Sequence, residues 1–265
     1  FQYYDESPMG FRQAPILMQA GYQEKDGRVG EEVALADMNG DGRVDQVIGN
    51  EDGSFTVRFN DGNYFVEIPG KSHWSDPFAC GGAQTDDPPC KGKLNAFRKG
   101  HQWLYLMDMN GDGLADRVGR VILSGIDTDS EIANFRIAFN NGHGWDPKTV
   151  EWRDPYQGHW AGTADQDKAF LDMNGDGLVD RVVGNQEAAL PNGYPGKGFY
   201  VYYNTGAGFR KTPVYWRDPV SDYQTNDSSE GKILGADGDK TRVFIRDMNG
   251  DGLPDRVWSG NLFEG

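Results

Sequence analysis

Asp37 to Asp45 reads DMNGDGRVD, and three near-identical copies of this nine-residue stretch follow it along the 265-residue chain. The copies are DMNGDGLAD from Asp108 to Asp116, DMNGDGLVD from Asp172 to Asp180 and DMNGDGLPD from Asp247 to Asp255. We refer to these four stretches as the acidic loops, numbered first to fourth in chain order. Because they recur at intervals of about 70 residues, they indicate a fold built from repeated structural units.

A second repeated element occurs between the loops. Phe135 to Trp152 (FRIAFNNGHGWDPKTVEW) aligns without a gap with Phe199 to Trp216 (FYVYYNTGAGFRKTPVYW), and Phe55 to Trp74 is a looser copy. The fourth copy lies at the other end of the chain, from Phe1 to Met18. The positions it shares with the 199–216 copy are Tyr3, Tyr4, Gly10, Phe11, Arg12 and Pro15. The sequence therefore begins and ends in the middle of a repeat.

The residues around the loops predict antiparallel β-structure. The 37 glycines and 13 prolines leave no room for long helices. Apolar strands such as Leu104 to Met107 and Val243 to Ile245 run into the loops. A second strand leaves each loop, as at Asp116-Arg117-Val118, where alternation predicts that valine points inward and arginine outward.

We predict an all-β fold, a β-propeller with four blades of about four antiparallel strands, formed as a single domain by residues 1–265. The N-terminal strands are predicted to complete the last blade, so that the array closes and leaves no open sheet edge. The alternative is a stretch of a larger array of the same repeats, in which any cut point would give the same offset.

The acidic loops have the donor pattern of a calcium site. The pattern D-x-N-x-D-G-x-x-D places side-chain oxygens at positions one, three, five and nine, and glycine at position six permits a sharp turn. Calcium accepts six to eight oxygen ligands, and the backbone carbonyl at position seven can add another. The predicted ligands, with Arg43 and the three leucines contributing carbonyls, are Asp37, Asn39, Asp41, Arg43, Asp45, Asp108, Asn110, Asp112, Leu114, Asp116, Asp172, Asn174, Asp176, Leu178, Asp180, Asp247, Asn249, Asp251, Leu253 and Asp255.

An EF-hand shares the first six positions of this pattern but requires a bidentate acid at position twelve. Here position twelve is occupied by Ile48, Gly119, Val183 and Trp258, and no amphipathic helices flank the loops. The ninth-position aspartate therefore predicts a β-hairpin loop, and we expect about four calcium ions in the chain.

The loops and their flanking strands resemble FG-GAP or VCBS repeats, the calcium hairpins of integrin α-subunit propellers and of many bacterial surface and toxin proteins. The resemblance covers essentially the whole chain and implies that the loops are structural metal sites. The family usually builds seven or more blades, so a four-bladed propeller would depart from it.

The charge and the cysteine content indicate where the protein is located and which classes of partner it can bind. The net charge of −15 argues against binding to nucleic acid phosphates, and no apolar run approaches the roughly 20 residues that span a bilayer. Cys80 and Cys90 flank a turn-rich segment and are predicted to form a disulfide, although two free thiols are the alternative. We therefore expect a secreted or cell-surface protein without nucleic acid partners or membrane insertion.

Catalytic motifs are absent from the sequence: it contains no G-x-S-x-G elbow, no H-E-x-x-H and no phosphate-binding loop. We expect a protein that is not an enzyme. Trp74, Trp145, Trp152 and Trp216 occupy repeat positions and are predicted to pack between blades. The candidate glycan-binding side chains are His101, Trp103, His159 and Trp160.

The function favoured by these features is an extracellular binding or adhesion module that recognises a glycan or a protein. One alternative is a structural subunit that assembles with copies of itself into a fibre or coat, by lending its aromatic N-terminal strand to a neighbour. Another is an accessory domain of a larger toxin or polysaccharide-active enzyme.

Overall fold

A computed structural model describes residues 33–78, 97–98, 101–102, 104–122, 133–156, 168–185, 198–218, 235–237 and 240–258. These residues contain eighteen β-strands in five sheets and no helix, and every pairing is antiparallel. The all-β prediction is confirmed. The predicted N-terminal strands of Phe1 to Met18 lie outside the described residues.

Four of the sheets each contain one acidic loop, and we refer to them as the first to fourth repeats. The first consists of β1 (Val33–Ala36), β2 (Asp45–Gly49), β3 (Phe55–Asn60), β4 (Phe65–Val66) and β5 (His73–Trp74). A short hairpin of β6 (Phe97–Arg98) and β7 (His101–Gln102) precedes the second, which consists of β8 (Leu104–Met107), β9 (Asp116–Ile122), β10 (Ala133–Ala138) and β11 (Val150–Arg153).

The third repeat consists of β12 (Lys168–Leu171), β13 (Asp180–Asn185), β14 (Gly198–Tyr202) and β15 (Val214–Arg217). The fourth consists of β16 (Gly235–Asp237), β17 (Lys240–Arg246) and β18 (Asp255–Trp258). Each acidic loop is the turn of a hairpin, joining β1 to β2, β8 to β9, β12 to β13 and β17 to β18. The predicted hairpin position of the loops is therefore confirmed.

The second repeated element is a pair of adjacent strands. Its first and last residues lie directly opposite each other in three sheets, as Phe55 with Trp74, Phe135 with Trp152 and Phe199 with Trp216. Large aromatic side chains at facing positions stabilise antiparallel pairs. The sequence alignment of this element, including its looser first copy, thus corresponds to one strand register.

Consecutive sheets pack face to face, and each of the three hydrophobic clusters draws side chains from two neighbouring repeats. In the first cluster Phe55 and Trp74 of the first repeat contact Trp145 of the second, with ring centroids 5.2 and 5.0 Å apart. The second cluster joins the second and third repeats, and in the third cluster Ile245 of the fourth repeat packs against the third. No cluster among the described residues joins the fourth repeat to the first.

The acidic loops form a continuous row. A Cβ built on Gly40, Gly111 or Gly175 would lie 3.2, 2.8 or 3.0 Å from a leucine Cδ2 of the next loop. Those leucines occupy position seven and are Leu114, Leu178 and Leu253. A Cβ at these distances would require the leucine to shift, and the positive φ at position four is a conformation that residues other than glycine rarely adopt.

Gly111→Ala is expected to destabilise the fold more than Gly113→Ala. Both glycines have a φ of +83°, which costs an alanine roughly 1–2 kcal/mol. Only the Cβ on Gly111 would also meet a neighbouring loop, because no described atom lies within 4 Å of a Cβ on Gly113. Chemical denaturation of both variants isolates the contribution of loop stacking, and equal losses would show that stacking contributes none.

The prediction that the arginines after the loops point outward is wrong. Arg117 and Arg181 are 0% and 4% exposed, and the valines that follow them are also buried. Side chains do alternate between the two faces of the strand, but neighbouring repeats cover both faces. The buried guanidinium groups therefore need partners within the protein.

The acidic loops as the candidate metal centre

The first-position aspartate of each loop holds the backbone of the turn. In the second loop Asp108 Oδ1 accepts the Gly111 amide at 2.7 Å, and Asp108 Oδ2 accepts the Gly113 amide at 2.7 Å. The corresponding bonds occur in the other three loops with distances of 2.6 to 3.0 Å. Because both amides belong to glycines with positive φ, the carboxylate and the turn determine each other's position.

The side chains at positions three and five form two further turns. Asn110 Oδ1 accepts the Asp112 amide at 3.1 Å, and Asp112 Oδ1 accepts the Leu114 amide at 2.9 Å. Asn110 Nδ2 also donates to Asp112 Oδ2 at 3.0 Å. Asparagine and aspartate commonly bind the backbone two residues ahead in this way, so the loop has a defined shape formed from its own residues.

The ninth-position aspartate is buried in the sheet. Asp116 accepts the backbone amides of Met109 and Asn140 at 2.9 and 2.8 Å, and Asp45 and Asp180 bind the matching amides of their repeats. Burial raises the pKa of Asp116 to about 7, although the two amides lower it, and Asp112 and Asp108 raise it further. Burial also raises the pKa of Asp45 and Asp180. A nearby cation would favour the charged carboxylates.

The donor chemistry of the loops fits a hard cation such as calcium. Carboxylates at positions one and five, an amide at position three and a carbonyl at position seven are all oxygen ligands. Among the described residues, no group of three or more acid, histidine or cysteine side chains is gathered so that it could hold a metal ion. In the first three loops both oxygens of the ninth-position carboxylate accept backbone amides, as both oxygens of the first-position carboxylate do, and an ionised carboxylate has further lone pairs for a cation. The donors at positions one, three, five, seven and nine therefore remain the predicted ligands of each loop.

Hydrogen bonds join the first loop to the second repeat and the second loop to the third repeat. The Asp37 carbonyl accepts the Ala115 amide at 3.0 Å, and Asn140 Nδ2 donates to the carbonyls of Met38 and Ala115 at 3.0 and 3.2 Å. Asn204 Nδ2 makes the equivalent bonds one repeat later, to the carbonyls of Met109 and Val179. The row of loops is therefore connected through the backbone as well as through leucine.

Three buried ion pairs connect the repeats, and the sequence interpretation missed them. Arg117 lies 3.2 Å from Asp76, Arg181 lies 3.2 Å from Asp154, and Arg256 lies 2.9 Å from Asp218. Each aspartate belongs to the repeat that precedes its arginine. The sequence does contain a signal for these pairs, because each aspartate comes two residues after a tryptophan that ends a copy of the second repeated element.

Each paired arginine also lies over an aromatic ring of the preceding repeat. The Cζ atoms of Arg117, Arg181 and Arg256 are 4.7, 5.6 and 5.0 Å from the ring centroids of Phe55, Phe135 and Phe199, respectively. A ring face attracts a guanidinium group, and this attraction strengthens when both are removed from water. The arginines are therefore held by charge and by stacking at each junction.

The other predicted site residues are only partly described. His101 lies in β7, whereas Trp103, His159, Trp160, Cys80 and Cys90 lie outside the described residues. The packing predicted for Trp74, Trp145 and Trp152 is confirmed, since they are 1%, 6% and 7% exposed within the clusters, and the fourth predicted residue, Trp216, is partly buried against the third cluster. The structure therefore leaves the glycan-binding candidates and the disulfide as predictions.

Comparisons with known proteins leave the family unassigned. No family model matches the chain. No curated protein matches it. Among solved structures, a chain of the Tc holotoxin pore of Photorhabdus luminescens is similar, with a TM-score of 0.49 and 16% sequence identity. The match covers 86% of this chain and 8% of that one.

The described residues contain no helix that is long and apolar enough to cross a membrane.

Proposed function

We propose that the chain is a calcium-stabilised, non-enzymatic β-propeller module of four blades that is secreted or displayed at a cell surface and binds an extracellular glycan or protein. The N-terminal strands complete the last blade. The observation that carries this proposal is the repetition of one loop geometry: four hairpins with the same oxygen donors and the same internal hydrogen bonds.

Electrostatics supports a cation in the loops. The loops lie side by side, and each brings three aspartates into a chain whose net charge is already −15. Carboxylates held close together repel one another, and a divalent ion in each loop offsets this repulsion. Because the ion binds the folded loop better than the unfolded chain, its binding contributes to stability.

The rigidity of the loops and strands supports a binding role. Rigid loops and buried ion pairs fix the positions of the strands. Binding residues in proteins are commonly carried by connecting segments on a rigid scaffold. His101, Trp103, His159 and Trp160 belong to such segments or border them, and they remain the proposed ligand-binding side chains.

Removing calcium is expected to lower the melting temperature by at least about 5 °C. A free calcium concentration of 100 times the dissociation constant of a site stabilises the folded chain by about 2.7 kcal/mol. In a chain of this size, about 1 kcal/mol corresponds to a change of 2–4 °C in the melting temperature. The measurement is thermal unfolding in calcium, in magnesium and in excess chelator. Magnesium is expected to restore less stability, because it requires a rigid octahedron and retains its waters.

Asp112→Asn is the matched variant for this measurement. The asparagine oxygen can still accept the Leu114 amide, so the variant removes the charge and keeps this bond, while Asn110 Nδ2 loses its acceptor on residue 112 in the presence and absence of calcium alike. The calcium-dependent shift should fall by at least about a quarter, the share of one site in four, and by more if neighbouring loops are coupled. Asp146→Asn is the control, since Asp146 accepts the Lys148 amide in a turn outside the loops. An unchanged melting temperature in chelator would refute the metal role.

The binding role is tested separately, by probing an array of glycans and extracellular proteins with the protein in the presence of calcium.

A further inference from the structure

The first loop differs from the other three at position seven, where it carries an arginine. Leu114, Leu178 and Leu253 occupy this position in the later loops, and each packs against a glycine of the preceding loop. The arginine instead lies over its own loop, with Arg43 Nη1 3.6 Å from Asp41 Oδ2. The first loop therefore holds a positive charge beside one of its proposed metal ligands.

The end of β3 helps to hold this guanidinium group. The same Nη1 of Arg43 donates to the Asn60 carbonyl at 3.4 Å. The turn that follows contains Asp61, whose pKa is lowered by backbone amides of the turn and further by Arg43. The arginine therefore lies within electrostatic range of two carboxylates, one of which belongs to the loop.

The other loops do not have such a charge. Among the described residues, no lysine or arginine forms an ion pair with an acid of the second, third or fourth loop. The bonds inside the loops are otherwise alike, since Asn39 Nδ2 donates to Asp41 at 3.2 Å and Asn249 Nδ2 donates to Asp251 at 3.0 Å. The arginine is therefore the single difference in charge among the four loop sequences.

A positive charge beside a ligand opposes the binding of a second cation in two ways. The guanidinium group and a calcium ion repel each other across a few ångströms. The guanidinium group also occupies part of the Asp41 carboxylate, which the ion must then share or release. Because the Arg43 side chain is 53% exposed, water and salt weaken both effects. The expected result is weaker binding by about three- to tenfold.

We propose that Arg43 makes the first loop a weak cation site, which fills at a higher free calcium concentration than the fourth loop. The proposal rests on the calcium role given under the proposed function and adds a graded response to it. Hydrogen bonds from Ala115 and Asn140 pass part of the effect to the second loop. No hydrogen bond between described residues joins the fourth loop to another loop, so the fourth loop is the reference.

A calcium titration of the full chain, followed by amide nuclear magnetic resonance of glycine-labelled protein, resolves the loops. Gly42 and Gly252 donate to the first-position aspartates at 2.8 and 3.0 Å, so their resonances report occupancy of the first and fourth loops. We expect the midpoint at Gly42 to lie at about three- to tenfold more calcium than the midpoint at Gly252. Equal midpoints, or an earlier one at Gly42, would overturn the proposal.

An exchange of the position-seven residues tests the charge directly. Arg43→Leu should raise the calcium affinity of the first loop by about three- to tenfold, and Leu253→Arg should lower that of the fourth. Leu253 is 43% exposed, so an arginine has room there. Arg58→Leu is the matched control, because it removes an arginine of the same repeat whose partner Glu67 lies outside the loop. If Arg43→Leu moved the midpoint at Gly42 no further than the control does, the proposal would fail.

A lysine variant and added salt separate the charge of Arg43 from its shape. Arg43→Lys keeps the charge and should keep the weak binding. The affinity difference between Arg43→Leu and the unaltered chain should narrow at high salt, because salt screens the repulsion. Tighter binding in Arg43→Lys, or a difference that salt leaves unchanged, would show that repulsion by charge is not the cause.

The same titration separates this proposal from the calcium role. If no position-six glycine resonance moved with calcium in any variant, both would be refuted. If the resonances of all four loops shifted and saturated, but Arg43→Leu had no effect on the midpoint at Gly42, only the role of Arg43 would be refuted.

Discussion

Arg181→Met is expected to lower the free energy of unfolding by about 3–5 kcal/mol, the usual cost of removing one partner from a buried ion pair. Arg181 and Asp154 are both nearly inaccessible to solvent, with side chains 5% and 2% exposed. Removing the guanidinium leaves the Asp154 carboxylate in the interior, away from water. It also removes the group that stacks on Phe135 and Phe170.

Urea denaturation of this variant can be compared with two others. Arg136→Met removes a half-exposed partner of Glu151 and is expected to cost less than about 1 kcal/mol. The double variant Arg181→Gln with Asp154→Ala should recover part of the loss because no buried charge remains. If Arg181→Met cost no more than Arg136→Met, the buried pair would have no special role at the junction.

Trp145→Ala is expected to destabilise the fold by about 3–5 kcal/mol, as large aromatic deletions in cores do. Its ring packs edge-on against Phe55 and Trp74 of the first repeat, and its Nε1 donates to the Ala115 carbonyl at 3.3 Å. The truncation therefore opens a cavity between two repeats and removes a hydrogen bond. Loss of near-ultraviolet circular dichroism during denaturation would report this junction.

The control for this prediction comes from the next repeat. Phe209 occupies the position of Trp145 and packs against Trp152, with ring centroids 5.6 Å apart. Trp145→Phe should therefore cost less than about 1.5 kcal/mol, as conservative core exchanges do. An equal loss in both variants would show that the indole hydrogen bond, and not ring packing, accounts for the stability.

Much of the local structure could be predicted from the sequence because it is encoded by local patterns. The strand predicted at Leu104 to Met107 is β8 with the same bounds, and the strand predicted at Val243 to Ile245 lies within β17. The gapless alignment of the second element corresponds to a common strand register. Turn chemistry and alternation act over a few residues, so the residues themselves carry this information.

The error at the arginines has a different origin. Period-two alternation shows that Arg117 and Val118 point to opposite faces, but it does not show what lies on each face. Packing of neighbouring repeats covers both, and Asp76, 41 residues earlier in the chain, completes the pair. Such partners depend on how sheets stack, which is a tertiary property.

The acidic loops were predicted as sites but not in their full geometry. The pattern predicted oxygen donors at five positions, and the structure places four of them within the turn. The ninth aspartate was predicted as a ligand on spacing alone. In the fold Asp116 binds the Met109 amide of its own loop and the Asn140 amide of the third strand, so its position depends on a strand that the loop sequence does not include.

The hydrogen bonds between loops have a consequence for cooperativity. The carbonyls of Asp37 and Met38 in the first loop accept bonds from Ala115 and Asn140 of the second repeat, so neither loop can change its shape alone. In a linear chain of such nearest-neighbour contacts, disorder in one unit weakens the next. If the loops bind a cation as proposed, occupancy of the first loop would then favour occupancy of the second, and these two loops would fill and empty together.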